Sequence, residues 1–155
     1  MRRSSWALIL LMAFTLALPR TGLAAVAVDA RLKKIAKHFE DARVDLRKGR
    51  QVDAMKDLQK TINYFQDIRE GRGEKAEGRA WKMMGNSIAE IEALQRRIGN
   101  DPGFAEKELL PVYQNALNSL AEHVRKAGHN PTGKLIRRQD VAFMTQKLIS
   151  DFLQK

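Results

Sequence analysis

The chain has 155 residues, 44% of them hydrophobic, and 28 basic against 18 acidic side chains give it a formal net charge of +10. This apolar content is enough for a modest core and argues against disorder, while the absence of Cys excludes a disulfide framework, a Cys metal site and a lipidated Cys. The basic excess favours contact with anionic surfaces such as phosphate, acidic polysaccharide or lipid headgroups.

The first 27 residues have the order of a secretory signal peptide. Arg2 and Arg3 precede an uncharged apolar run, residues 6–18, and small residues follow up to Ala27. The run has 13 residues and a bilayer needs roughly 20, so we predict that it is cleaved and leaves no transmembrane span. We expect cleavage after Ala27, with Ala25 as the alternative. Removing the three arginines of this segment lowers the net charge from +10 to +7.

Residues 28–155 are predicted to form a single helical domain, because apolar residues recur every three or four positions and no stretch alternates with a period of two. Asp29 is positioned as the N-cap of the first helix, Gly49 as the turn to the second, and Gly71 as the end of the second. The predicted inward residues are Leu32, Ile35, Phe39, Ala42 and Leu46 in the first helix and Val52, Met55, Leu58, Ile62, Phe65 and Ile68 in the second.

A third helix is predicted from about Glu74 to Ile98, with Gly78 and Gly85 allowing a close approach of a neighbouring helix. Its predicted inward residues are Trp81, Met84, Ile88, Ile91, Leu94 and Ile98.

The remainder of the chain is predicted to hold a fourth helix and a last one. Asp101 and Pro102 suit the N-cap and first position of the fourth helix, and Pro111 either kinks it or separates residues 104–110 as a short helix. Gly128 ends the fourth helix. The predicted inward residues are Tyr113, Leu117, Leu120 and Val124 before Gly128 and Val141, Met144, Leu148 and Phe152 in the last helix.

The predicted fold is all-α, an up-down bundle of four long amphipathic helices plus a short extra segment. The alternative is a stack of helical hairpins. The segment from Ala42 to Ile62, with Gly49 followed by Ala54 and Leu58, resembles the helix-turn-helix of a tetratricopeptide unit. A true repeat should return about 34 residues later, where no matching Ala is present, so the bundle is favoured.

No catalytic residue is predicted. Ser87, Ser119 and Ser150 have no neighbouring base or nucleophile-elbow motif. The segment GHNPTGKL, residues 128–135, has the spacing of a phosphate-binding loop, but Leu135 occupies the position of the required Ser or Thr, and a helix rather than a strand precedes it. We therefore expect a protein that is not an enzyme.

No cofactor or metal ligand set is predicted either. His38, His123 and His129 are far apart in sequence, and there is no H-E-x-x-H or C-x-x-C-H motif. The methionines of the mature chain mostly fall on apolar stripes, where core packing explains them. A helical bundle that carries haem or a metal without covalent attachment stays as a secondary alternative.

The candidate surface for an anionic partner consists of Lys134, Arg137 and Arg138, which open the last helix. Cations are disfavoured at a helix N-terminus, so the helix dipole does not explain why these three residues lie there. The dipole does explain Arg125 and Lys126, because they lie at the end of the fourth helix.

These observations predict an exported, non-enzymatic interaction protein of a bacterial cell envelope, periplasmic or secreted. Its expected role is that of an adaptor or chaperone-like binder of a protein partner. The alternative is a basic binder of anionic envelope polymer or lipid headgroups. Nucleic acid is disfavoured, because the chain is exported and has few aromatic residues for base stacking.

Overall fold

The computed structural model of the chain describes residues 30–71, 77–101, 106–128 and 136–155. In these ranges it contains five α-helices and a short 3₁₀ turn, and no β-strand, which confirms the predicted all-helical bundle. The elements are α1 (Ala30–Arg47), α2 (Gln51–Glu70), α3 (Arg79–Asn100), the 3₁₀ turn (Glu106–Glu108), α4 (Leu109–Ala127) and α5 (Arg138–Gln154). The predicted signal peptide, Asp29 and Pro102 lie outside the described residues.

The first four helices form a closed ring. Each packs against the next along the chain, and α4 returns to pack against α1. Among the described residues, the diagonal pairs α1 with α3 and α2 with α4 have no Cα atoms within 8 Å. A stack of tetratricopeptide-like hairpins would not bring α4 back to α1, so the ring favours the bundle. Helix α5 covers this ring on the outside, where it packs against α4 and α1.

None of the described helices is long and apolar enough to cross a membrane.

Gly49 turns the chain between α1 and α2, as predicted. Its φ of 70° lies in the left-handed region, and its N–H donates to the main-chain oxygen of Leu46 at 3.0 Å. A side chain here would meet no neighbouring atom within 4 Å, so Gly is needed for its backbone conformation rather than for space. Gly128 ends α4 in the same way, with a φ of 68°.

The predicted start of the third helix near Glu74 is wrong. Glu77 has a φ of 69°, which an α-helix does not allow, and Gly78 is the extended N-cap, so α3 begins at Arg79. Gly85 does permit a close approach. A Cβ at Gly85 would lie 3.2 Å from Cζ of Arg69 on α2, whose guanidinium stacks over the ring of Trp81 at 3.9 Å.

The junction before α4 also differs from the prediction. Asp101 is the C-cap of α3, and its N–H donates to the main-chain oxygen of Arg97 at 2.9 Å. After the 3₁₀ turn, α4 begins at Leu109, which places Pro111 in the first turn of the helix. The missing N–H of a proline costs no intrahelical hydrogen bond there, so α4 needs no kink at this residue.

One core runs between the helices and includes most of the predicted inward residues. The prediction fails at Val52, which lies in the first turn of α2 and is 66% exposed. Small and polar residues that no apolar pattern marks fill much of the remaining interior. They include Ala54, Ala116, Ala121, His38, Thr61, Ser87 and Ser119.

Candidate binding groove between α4 and α5

A groove of about 460 Å³ lies where the C-terminal end of α4 meets the N-terminal end of α5. The two helix ends are held together by the N–H of Ile136, which donates to the main-chain oxygen of Gly128 at 2.9 Å. Ile136 is buried and anchors the start of α5 against the bundle. We call this feature the α4–α5 groove; its lining residues are Glu122, Arg125, Lys126, Arg138, Gln139 and Ala142.

The three residues of the predicted anionic-partner surface have different positions. Lys134 lies outside the described residues. Arg137 is the N-cap of α5, and its guanidinium donates to both carboxylate oxygens of Asp140, at 2.8 and 3.1 Å. This hydrogen bonding raises the pKa of Arg137. Asp140 lies in the first turn of α5, where a carboxylate is favourable, so the pair has a structural explanation without a ligand.

Arg138 differs from Arg137 because it lines the groove directly. Within the described part of the chain, no carboxylate lies within 4.0 Å of its guanidinium, and its side chain is exposed. It is also the first residue of α5, at the positive end of the helix dipole, where nothing in its own helix stabilises a cation. Of the three predicted residues, Arg138 is thus the one that the described structure leaves available to an anion.

Two further cations line the groove, and the helix dipole alone had been expected to explain both of them. Arg125 and Lys126 lie in the last turn of α4 and complement its dipole, yet both also line the groove opposite Arg138. The acidic wall residue Glu122 lies 3.6 Å from Arg125 and 3.9 Å from Arg79, so its charge is shared between two arginines. The groove therefore presents a positive potential built from both helices.

The available sequence signal for this site was the position of the basic residues on either side of one connection. Arg125 and Lys126 lie shortly before the segment 128–135, and Arg138 lies three residues after it. Helices that follow each other along the chain commonly lie next to each other, which brings these two ends together. Which faces of α4 and α5 the cations occupy depends on the rotation of each helix against the ring, and only packing decides that.

The described histidines show no metal site. His38 is buried between α1 and α2 and is hydrogen-bonded to the hydroxyl of Thr61 at 3.1 Å. Burial is the main cause that lowers the pKa of His38, and the neighbouring Lys34 and Lys60 add to it. Among the described residues, no group of three His, Asp or Glu side chains is placed to hold a metal ion. His129 lies outside them.

Two of the serines considered for catalysis are buried in one hydrogen-bonded cluster. The hydroxyls of Ser87 on α3 and Ser119 on α4 are 2.7 Å apart, and Ser119 also donates to the main-chain oxygen of Asn115 or of Met83, at 2.8 and 3.1 Å. Both serines are only 2% exposed. Their hydroxyls join two helices of the ring and are enclosed by the described residues around them.

Comparison with protein-family models, with curated proteins and with solved structures finds no match to this chain.

Proposed function

We propose that the chain is an exported, non-enzymatic adaptor of a bacterial cell envelope, and that its α4–α5 groove contacts an acidic segment of a protein partner. The observation that carries this proposal is the groove itself, in which Arg125, Lys126 and Arg138 from two helices surround about 460 Å³ of open space. A concave surface with convergent cations is suited to a carboxylate-rich segment, because the charges on both walls act on the same ligand.

An apolar contact beside the groove favours a protein partner over a purely polyanionic one. Phe143 on α5 is 49% exposed and lies one helical turn after Gln139, which lines the groove. Exposed aromatic rings next to arginines are typical of protein interfaces, where the ring supplies apolar area and the cations supply orientation. A partner segment that combines acidic side chains with an apolar one would contact both.

The non-enzymatic part of the proposal is supported by the buried serine cluster. A nucleophilic serine needs an accessible hydroxyl and a neighbouring base. Ser87 and Ser119 have neither, because each hydroxyl is enclosed and bonded to the other across α3 and α4.

The proposal is tested by capture from envelope extract with a tagged chain that begins at Val28, washed first at low and then at high salt. The groove variant combines Arg125→Gln with Arg138→Gln. The matched control combines Lys33→Gln with Lys48→Gln, two exposed cations on α1 and just after it. A specific partner should elute as a defined protein from the parent and control chains as the salt is raised, because the groove contact is charged, and its affinity for the groove variant at low salt should fall roughly five- to tenfold.

Other outcomes identify the competing functions. Release of all bound material at moderate salt, with glycan or lipid phosphate in the eluate, would favour the binder of anionic polymer or lipid headgroups. A coloured or metal-containing chain purified from cells would instead support the cofactor-carrying bundle. Export is tested separately by cell fractionation and by the intact mass of the accumulated chain, which should begin at Val28 or Val26.

A further inference from the structure

A second cavity, of about 220 Å³, lies beside the C-terminal end of α5, where this end meets α1 and the start of α4. It is lined by Arg43, Arg47, Glu106, Leu110, Phe152, Leu153 and Lys155. It is distinct from the α4–α5 groove. Leu110 lines this cavity and Arg125 lines the α4–α5 groove. About 22 Å of helix α4 separates these two residues.

Arg43 forms the inner wall of this cavity and is only 6% exposed. Its guanidinium stacks over the ring of Phe152, with Cζ 3.8 Å from the ring centroid, and Nη1 donates to the main-chain oxygen of Phe152 at 2.5 Å. These two contacts hold the guanidinium in one position, so its remaining N–H groups have a defined direction.

Arg43 forms no close ion pair with the described residues, although Glu106, which lines the same cavity, acts on its charge from a greater distance. Among the described residues, no carboxylate lies within 4.0 Å of it. The other cations of the cavity do have partners, since Arg47 donates to both oxygens of Glu106, at 2.5 and 2.8 Å, and Lys155 to Glu40 at 2.8 Å. Buried arginines are rarely found without an anion, because a charge removed from water needs a compensating charge or several hydrogen bonds.

We propose that this cavity binds a small carboxylate that carries a short apolar tail. The carboxylate would pair with Arg43, the one cation of the cavity that has no close carboxylate partner among the described residues. The apolar part of the wall comes from Leu110, Phe152 and Leu153, and it suits an aliphatic chain. A volume of about 220 Å³ corresponds to roughly seven groups of the size of water, which limits the ligand to a small molecule.

The probe for the test is hexanoate, with hexanol and acetate as its matched controls, on the chain purified from the cell fraction where it accumulates. Hexanol keeps the tail without the charge, and acetate keeps the charge without the tail. Calorimetry and amide chemical shifts should show saturable binding of hexanoate that perturbs Leu110 and Leu153. Binding of either control should be weaker by about tenfold or more. Equal binding of hexanol and hexanoate would overturn the proposal, and so would no saturable binding of hexanoate up to about 10 mM.

Two sets of variants connect the binding to this cavity. Arg43→Gln removes the cation that would pair with the carboxylate and should weaken hexanoate binding about tenfold, whereas Lys56→Gln on α2 should leave it unchanged. Since Arg43 is buried, its variant can lose stability for other reasons. Leu153→Asp and its neutral counterpart Leu153→Asn change a residue that is 61% exposed. The Asp variant should bind hexanoate several-fold more weakly than the Asn variant, and equal affinities would contradict the proposal.

Discussion

Replacing Phe152 by Ala tests how firmly α5 is packed on the helix ring. The ring of Phe152 is 3% exposed, with its centroid 4.5 Å from that of Tyr113 on α4 and 3.8 Å from Cζ of Arg43 on α1. Truncating a core Phe to Ala costs about 3–5 kcal/mol of unfolding free energy. We expect about 3 kcal/mol, at the low end of this range, because Phe152 lies near the end of α5, where neighbouring side chains can relax into the space.

The measurement is urea denaturation followed by far-UV circular dichroism. With a slope of about 1.5 kcal/mol per molar urea, a loss of 3 kcal/mol lowers the midpoint by about 2 M. The matched control is Leu153→Ala at the next position, which is 61% exposed and should cost less than about 0.5 kcal/mol. If the two variants had midpoints within about 0.3 M of each other, Phe152 would not be buried in solution and the observed packing of α5 would be refuted.

Three further changes have expected results of known sign. Gly49→Ala should destabilise the chain by about 1 kcal/mol, because Ala must adopt the φ of 70° at this turn; an unchanged urea midpoint would contradict the left-handed conformation. Gly99→Ala in α3 should instead stabilise it by about 0.5 kcal/mol, since the new Cβ meets only Met55 side-chain atoms at 3.9 Å. Burial lowers the pKa of His38 below 6.5, so the unfolded chain binds the proton more tightly. The contribution of His38 to the free energy of unfolding should be complete above pH 6.5 and should decrease as the pH falls through the folded-state pKa. The urea midpoint of the parent chain should fall over this pH range, and the His38→Gln variant should lack this decrease.

The helix pattern was predictable because it depends on local spacing. Leu58 and Ile62 on α2 and Leu117 and Leu120 on α4 repeat at helical intervals, and all four are buried. The start of α3 was misplaced because it was set directly after the glycines at positions 71 and 73, whereas the backbone at Gly78 is extended. A hydrophobic period alone does not show where a helix is capped.

The buried polar contacts were not predictable. Arg43 and His38 occur within a charged helix whose sequence predicts exposed side chains, yet both are buried. Helix α5 covers Arg43, and helix α2 covers His38. Similarly, Arg125 was explained by its helix dipole until packing placed it opposite Arg138. Each of these contacts joins residues that are far apart in sequence or lie on helices whose rotation no local pattern specifies.

The sequence by itself determined the all-α class, the Gly49 turn and most of the apolar core, because amphipathic spacing and left-handed glycines act within a few residues of the chain. Only the tertiary structure decided that α4 closes the ring on α1, that α5 lies across both, and which basic side chains meet. These arrangements depend on how the surfaces of separate helices fit together, since burial of apolar area selects the packing and the charged residues take the positions that remain.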